Sequence, residues 1–369
     1  VETICILVGM MLLVAVIKNS GIFEYIAIKA AKIAKGRPWP IMVIFILITA
    51  VCSGMLDNVT TVLLVGPMTL AITNILKVDP VPYIITQIMA SNIGGTATLI
   101  GDPPNIMIGS AAKLSFVDFI LNTGVATVFV IIVGLICMYF IYGRKLFVTD
   151  ESIAKVMQLD ENKAIKDRKL MHESVIVIIL VALCFIFHDQ LGVQSCTVAI
   201  AAACIMLLIG GQEPEEIIAD VEWPTILFFI GLFIVVGGMK KVGVITMLAN
   251  GLISITHGNM VVTMMVILWV SAIVSSFLDN IPFVATLIPM ILTMQAEGMD
   301  VTPIWWALSL GACLGGNGTL IGASANVVLS GISKNNGHPI TFGQYFKIGF
   351  PMMILSIIVC SVFLLVRFA

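Results

Sequence analysis

A six-residue phrase occurs twice in this chain, and each copy sets an aspartate inside an apolar stretch. Ser53-Gly54-Met55-Leu56-Asp57-Asn58 is the first, and Ser275-Ser276-Phe277-Leu278-Asp279-Asn280 lies 222 positions later. The same spacing pairs Thr3 with Thr225, Gly9 with Gly231, Gly21 with Gly243, Pro67 with Pro289 and Met68 with Met290. After one residue is lost in a loop, 94–101 falls on 315–322 at a spacing of 221, and Asn105 falls on Asn326. A charge at the bilayer centre costs about 2.5–3.5 kcal/mol on insertion scales, so carboxylates at matching places in two apolar halves point to function. Two halves with Gly-broken apolar segments are the pattern of a transporter whose site lies where the halves meet.

Composition fixes the class. The chain is 59% hydrophobic and 11% charged, against about 25% charged in soluble domains, which reads as an integral membrane protein. The apolar runs have helical length and are not alternating ten-residue strands, so a barrel is not expected. A net charge of −2 and no basic stripe exclude a nucleic-acid partner. Eight cysteines stand singly and read as small hydrophobes. Four histidines make no zinc motif. No cofactor is expected beyond a coupling ion. Val1 opens directly into an apolar span with no signal peptide. Since 1–3 resembles 221–225, and two spans precede the second copy, further spans are expected upstream of Val1.

The expected fold is all-α and membrane-embedded: two inverted-topology repeats, each with a re-entrant hairpin and a broken transmembrane helix. Residues 1–142 form the first repeat, with its hairpin tip at 57–58 and broken helix at 83–111. Residues 143–220 supply a cytoplasmic loop and two linking spans. Residues 221–369 form the second repeat, with its tip at 279–280 and broken helix at 303–332. Segments 39–56 and 59–76 meet at the polar tip, which needs protein or a wet cavity around it. Segments 83–100 and 104–111 form one crossing interrupted at Gly101-Asp102-Pro103-Pro104, where Gly and Pro free backbone groups. Basic residues set orientation. Lys18, Lys29, Lys32, Lys35 and Arg37, with an amphipathic helix over 22–34, mark one cytoplasmic stretch, and 143–170 with seven Lys and Arg marks another. Counting crossings between them closes, and the second copy then starts inside where the first started outside. Trp39, Trp223, Trp305 and Trp306 sit near span ends and read as interface anchors.

The motifs 56–61 (LDNVTT), 91–95 (SNIGG) running to 101–105 (GDPPN), and 311–326 (GACLGGNGTLIGASAN) resemble the ion transporter superfamily. Within it the nearest likeness is to the group of arsenite permeases, P proteins and NhaD-type antiporters, which carry a citrate-transporter-like domain, with the P-protein-like branch nearest. The resemblance implies a homodimer, elevator-like motion and two cation sites, each made by a hairpin tip and a broken helix. Where the divalent-anion symporters of the superfamily read Ser-Asn-Thr, this chain reads Asp57-Asn58-Val59 and Asp279-Asn280-Ile281. Lost hydroxyls and added carboxylates disfavour a dicarboxylate there.

Asp57, Asn58, Asp279 and Asn280 are the candidate Na⁺ or H⁺ ligands; each aspartate equally suits a helix cap. Gly94, Gly95, Gly101, Gly315, Gly316 and Gly322 either unwind the backbone near the tips or allow close helix packing. Thr98 and Thr319 offer ligands or bond back to their own helix. Asn105 and Asn326 cap the half-helices or line the site. Asp102, opposite Ala323, distinguishes the two halves or caps ahead of Pro103. Asn317 lines the substrate cavity. The reading is an ion-coupled secondary transporter of an inorganic ion or small anion, multi-pass in membrane lipid and by default in the cell inner membrane. Sodium/proton antiport, arsenite or antimonite export, dicarboxylate or citrate symport, and a channel-like anion conductance are the competing forms. An intramembrane aspartyl protease is disfavoured because neither aspartate has a GxGD or YD context.

Overall fold

The computed structural model describes residues 2–369 except 222, 245, 246, 248–250, 252, 253, 255 and 257. Among the described residues the chain is helical throughout, without strands. Six helices are long and apolar enough to cross a bilayer, or seven if the pair Glu2–Lys18 and Ile22–Ile33, bent by 66°, counts as one. The bend falls at Asn19-Ser20-Gly21, where Gly21 takes a left-handed φ of 79°.

The repeated phrase interrupts helices twice. Pro38–Met55 stops and Asn58–Leu76 starts across Leu56-Asp57, and Met260–Phe277 and Asn280–Ala296 do the same across Leu278-Asp279. We call these the first and second hairpins. Downstream of each lies a broken helix: Val81–Thr96 then Pro103–Ala112, and Thr302–Gly315 then Ser324–Asn335. The first break opens at Ala97, four residues earlier than expected, because Asn105 and Thr98 take over hydrogen bonds that further helix would have made.

Packing interlocks the halves. Each hairpin's outgoing arm lies against the first part of its own broken helix. Each return arm instead lies against the second part of the other half's broken helix, Asn58–Leu76 on Ser324–Asn335 and Asn280–Ala296 on Pro103–Ala112. Gly94 and Gly315 make the first contact possible. A Cβ on Gly315 would sit 2.6 Å from the Ala272 carbonyl oxygen, and one on Gly94 would strike the backbone of Ala50. None of the six candidate glycines has a positive φ, so they supply space for close approach rather than left-handed backbone.

One face of the molecule collects the basic residues. Lys32 Nζ reaches Glu161 Oε2 at 2.6 Å, Lys166 N–H donates to the Ser20 carbonyl at 3.0 Å, and Lys18 Nζ pairs with Asp220 Oδ2 at 2.6 Å. Tyr83 donates to the Pro38 carbonyl at 2.9 Å, and Trp39 meets Tyr139 with ring centroids 5.3 Å apart. The end of the first helix, both ends of the first hairpin, the start of the first broken helix, the 143–170 loop and the 210–221 linker therefore share this face. Trp305 and Trp306 are not interface anchors: both are 3% exposed, and Trp306 packs edge-on against Phe119 at 5.3 Å. Their indoles fill the gap between broken helix and neighbour instead of meeting lipid headgroups. The 240–259 stretch, expected to mirror Ile22–Ile33, lies largely outside the described residues.

Candidate ion site

Both tip aspartates begin a helix, and both use their carboxylates to do so. Asp57 Oδ1 accepts from Thr60 N–H at 2.8 Å and its Oδ2 from the Thr60 hydroxyl at 2.5 Å. Asp279 Oδ1 accepts from Ile281 N–H at 3.0 Å and its Oδ2 from the Ser324 hydroxyl at 2.9 Å. The caps satisfy backbone amides that a helix start leaves free, and they fix two anionic groups at two helix N-termini. Asp57 is 4% exposed, whereas Asp279 is only half-buried.

The broken helices are tied to the tips by their threonines. The Thr98 hydroxyl donates to the Gly54 carbonyl, and the Thr319 hydroxyl to the Ser276 carbonyl at 2.5 Å. Neither bonds back to its own helix, so each pins its break to the adjoining hairpin arm. Asn105 and Asn326, both fully buried, hold the breaks in shape. Asn105 Nδ2 donates to the carbonyls of Gly95, Thr96 and Thr98, and Asn326 Nδ2 to those of Gly316 and Thr319 at 2.7 and 2.8 Å. Gly101 and Gly322 sit where a Cβ would strike hairpin carbonyls, at 2.7 Å from Ser53 O and 3.0 Å from Ser275 O. Gly95 and Gly316 lie across the loop from them.

The two halves close differently on their tips. Asn58 Nδ2 donates to Asn92 Oδ1 at 3.4 Å, and Asn92 Nδ2 donates at 2.9 Å to both Asn317 Oδ1 and Asn326 Oδ1. At a spacing of 221 the mate of Asn92 is Cys313, and its thiol meets the mates of those partners, Thr96 and Asn105. Asn280 donates to both oxygens of Asp102, at 3.4 and 3.3 Å, and Cys313, whose thiol donates to Asn105 Oδ1 at 3.5 Å, lies beside Asp102. Asp102 begins Pro103–Ala112 but makes no side-chain cap, so its carboxylate belongs to the second tip. Asn92 with Ala323 has thus become Cys313 with Asp102 in the other half. Sequence reading singled out Asp102 but left Asn92, Cys313 and Ser309, which donates to Asn105 Oδ1 at 2.6 Å, unassigned. The repeat alignment of Asn92 with Cys313 was the available signal.

Asp57 and Asp279 both lie within electrostatic reach of Asp102. Among the described residues no lysine or arginine is buried, and no group of three His, Cys, Asp or Glu forms a metal cluster. The arrangement is therefore three carboxylates plus amide and hydroxyl oxygens, suited to a small hard cation or protons and unsuited to an unaccompanied anion.

Comparisons with known proteins give the chain a family and relatives. A family profile described as citrate transporter matches residues 1–311. A protein named uncharacterized transporter, from Mycobacterium tuberculosis, is 43% identical over 100% of this chain and 86% of its own length. The 46 kDa membrane protein of Mycobacterium leprae is 40% identical with the same coverage. The P protein of Sus scrofa is 34% identical over 99% of this chain, which spans 53% of that protein. The mycobacterial proteins are thus more similar to this chain than the P protein is, and the P protein is among its relatives as the motifs led one to expect.

Proposed function

The chain belongs to the citrate transporter family and is a multi-pass membrane transporter, and from that premise we propose that it is an ion-coupled secondary transporter binding Na⁺ or H⁺ at its two hairpin tips. The observation that carries this reading is that Asp102 lies within electrostatic reach of both Asp57 and Asp279, with no buried lysine or arginine among the described residues. Asp57 and Asp102 are buried, Asp279 is half-buried, and the charges of Asp57 and Asp279 both act on Asp102, so binding a proton or cation there relieves repulsion, and competition between the two is coupling chemistry. Asp57-Asn58 with Asn92 forms one site, and Asp279-Asn280 with Asp102 and Cys313 the other.

We read the two halves as inverted repeats, 1–142 and 221–369, with hairpins that re-enter the face they leave. Supporting this, the first helix ends on the basic face at Lys18, while its mate Trp223–Lys241 begins beside Asp220, which pairs with that lysine. Alternating access would come from motion of the hairpin and broken-helix unit against the remaining helices, in an elevator manner within a homodimer. The positive-inside rule makes the basic face cytoplasmic.

Two transported species fit. Na⁺/H⁺ exchange follows from the carboxylates alone. Citrate, favoured by the family description, would have to arrive with its charge neutralised by bound cations. Arsenite or antimonite hydroxide, being neutral, is compatible with the aspartates but has no observation of its own. The deciding experiment uses proteoliposomes of the full-length protein loaded with a pH dye and challenged with Na⁺ across an imposed proton gradient. Na⁺-dependent proton movement that disappears in Asp57→Asn is expected. Absence of any Na⁺ or citrate response in parent vesicles refutes the reading.

A further inference from the structure

Seven buried side-chain polar atoms have no hydrogen-bond partner among the described residues, and four of them belong to the first hairpin and the helix it leans on. They are Thr49 Oγ1, Asn58 Oδ1, Thr61 Oγ1 and Gln87 Oε1. Buried polar groups are rarely left unpaired, and such clusters mark places where water or an ion completes the bonding. These four are not scattered. Asn58 and Thr61 lie three residues apart on the return arm and Thr69 and Thr73 four apart two turns further on, and all are at most 3% exposed. Thr49 and Gln87 face the same interior from the outgoing arm and the broken helix, and with Thr69 they line a cavity of about 10 Å³, at the lower limit for one water.

That cavity lies on the way to the basic face. Phe23 and Met68 wall it, and the same two residues line a larger cavity of about 300 Å³ holding Lys18, Glu24 and Lys166. In the other direction, Thr49 precedes Asp57 by eight residues, about 12 Å of helix, with Thr61 between. The second hairpin lacks the series. At the repeat spacing Phe283, Ile291 and Leu308 stand where Thr61, Thr69 and Gln87 stand, so Ser271, the equally unpartnered mate of Thr49, is cut off from its tip by apolar side chains.

We propose that the first hairpin contains a hydrated seam, from Asn58 through Thr61 to Thr49, Thr69 and Gln87, that passes water and protons between the first tip and the basic face, with Phe23 and Met68 closing its mouth. It rests on the reading of Asp57 as an ion-binding group. The hydroxyls relay by accepting one proton as they release another, so no group changes its bonding over a full passage. The second tip has no such route and must exchange its ion by the opposite path.

Radiolytic hydroxyl-radical footprinting of the full-length protein tests it, because buried side chains beside bound water are oxidised while dry ones are not. Phe45, 4% exposed and lining the small cavity, is the reporter; Phe119 and Phe229, both at 0% and of the same intrinsic reactivity, are the dry controls. Phe45 is expected to label well above both controls, and the triple variant Thr49→Val, Gln87→Leu, Thr69→Val to abolish that labelling and slow cation-driven proton flux in proteoliposomes at least tenfold. Phe45 no more labelled than Phe119 and Phe229 overturns the seam. Full flux in the triple variant overturns its role. An Asp57→Asn protein that transports normally while Phe45 stays labelled sinks the tip reading and leaves the hydration of the seam supported.

Discussion

Gly315→Ala is the sharpest test of how the second break is held against its hairpin. The added Cβ would lie 2.6 Å from Ala272 O, 2.8 Å from Ala272 Cα and 2.9 Å from Ser275 Cβ, against about 3.5–4.0 Å for relaxed carbon contacts. Thr302–Gly315 and Met260–Phe277 would have to separate by close to 1 Å. Overpacking of this kind costs about 1–3 kcal/mol, and the helix-propensity gain of alanine returns at most about 1 kcal/mol. The net expectation is a loss of about 1–2 kcal/mol, roughly a five- to thirty-fold shift toward the unfolded state. Gly331→Ala is the control: nothing lies within 4 Å of its Cβ, so it should stabilise by about 0.5–1 kcal/mol. Both variants can be compared by SDS or thermal denaturation in detergent. Because the clash is with main-chain atoms, Ala272→Gly should not rescue Gly315→Ala. A Gly315→Ala protein as stable as Gly331→Ala, or one restored by Ala272→Gly, would refute the reasoning.

Asp57→Asn and Asp279→Asn should keep stability within about 0.5 kcal/mol, since Asn caps as well as Asp, while ion-dependent flux is lost; a large drop in denaturation midpoint would make these residues structural instead. Thr319→Val, which removes the tie to the Ser276 carbonyl, should cost about 1 kcal/mol and is checked by the same denaturation assay. On the basic face, the hydrogen bond from Lys32 holds the Glu161 carboxyl below the usual carboxylate range. A depressed pKa stabilises above the unfolded value and is lost as pH falls through the folded one. Proteolysis of the 159–166 segment should therefore accelerate in the parent as pH falls below about 4.5 and should not change with pH in Lys32→Met; equal acid sensitivity in both proteins counts against the bridge. Cysteines placed singly in 143–170 should label only from the cytoplasmic side, and external labelling would overturn the assigned orientation.

Much of this was legible because membrane proteins use few polar residues, each conspicuous. The repeated LDN phrase located both tips, and helix ends near 57 and 279 follow from aspartates that prefer caps. The breaks were legible from Gly and Pro, though not their onset at Ala97, which depends on Asn105 reaching three carbonyls across the loop. Pairing across the halves was not legible. Nothing in the sequence says that Asn280 turns to Asp102 while Asn58 turns to Asn92, because those contacts depend on how two distant segments face each other. Trp305 and Trp306 misled for a related reason: position near a span end suggests a headgroup anchor, but both are buried, and Trp306 is covered by Phe119 from 187 residues earlier in the chain.

The crossed packing of the return arms has one more consequence. Each hairpin leaves its own half and finds its outer wall in the other, so a half on its own would present a bare apolar flank and an uncovered polar tip. The halves are mutually dependent parts of one object, like two hooks closed on each other. A chain cut in the 210–214 linker, which is tied to the first helix and the bend after it by Gln212 bonding Asn19 at 2.7 Å and the Val16 carbonyl at 3.3 Å, keeps every such contact between the halves available. The two fragments, made together, have reason to reassemble, and either one made alone does not have a partner surface to fold against.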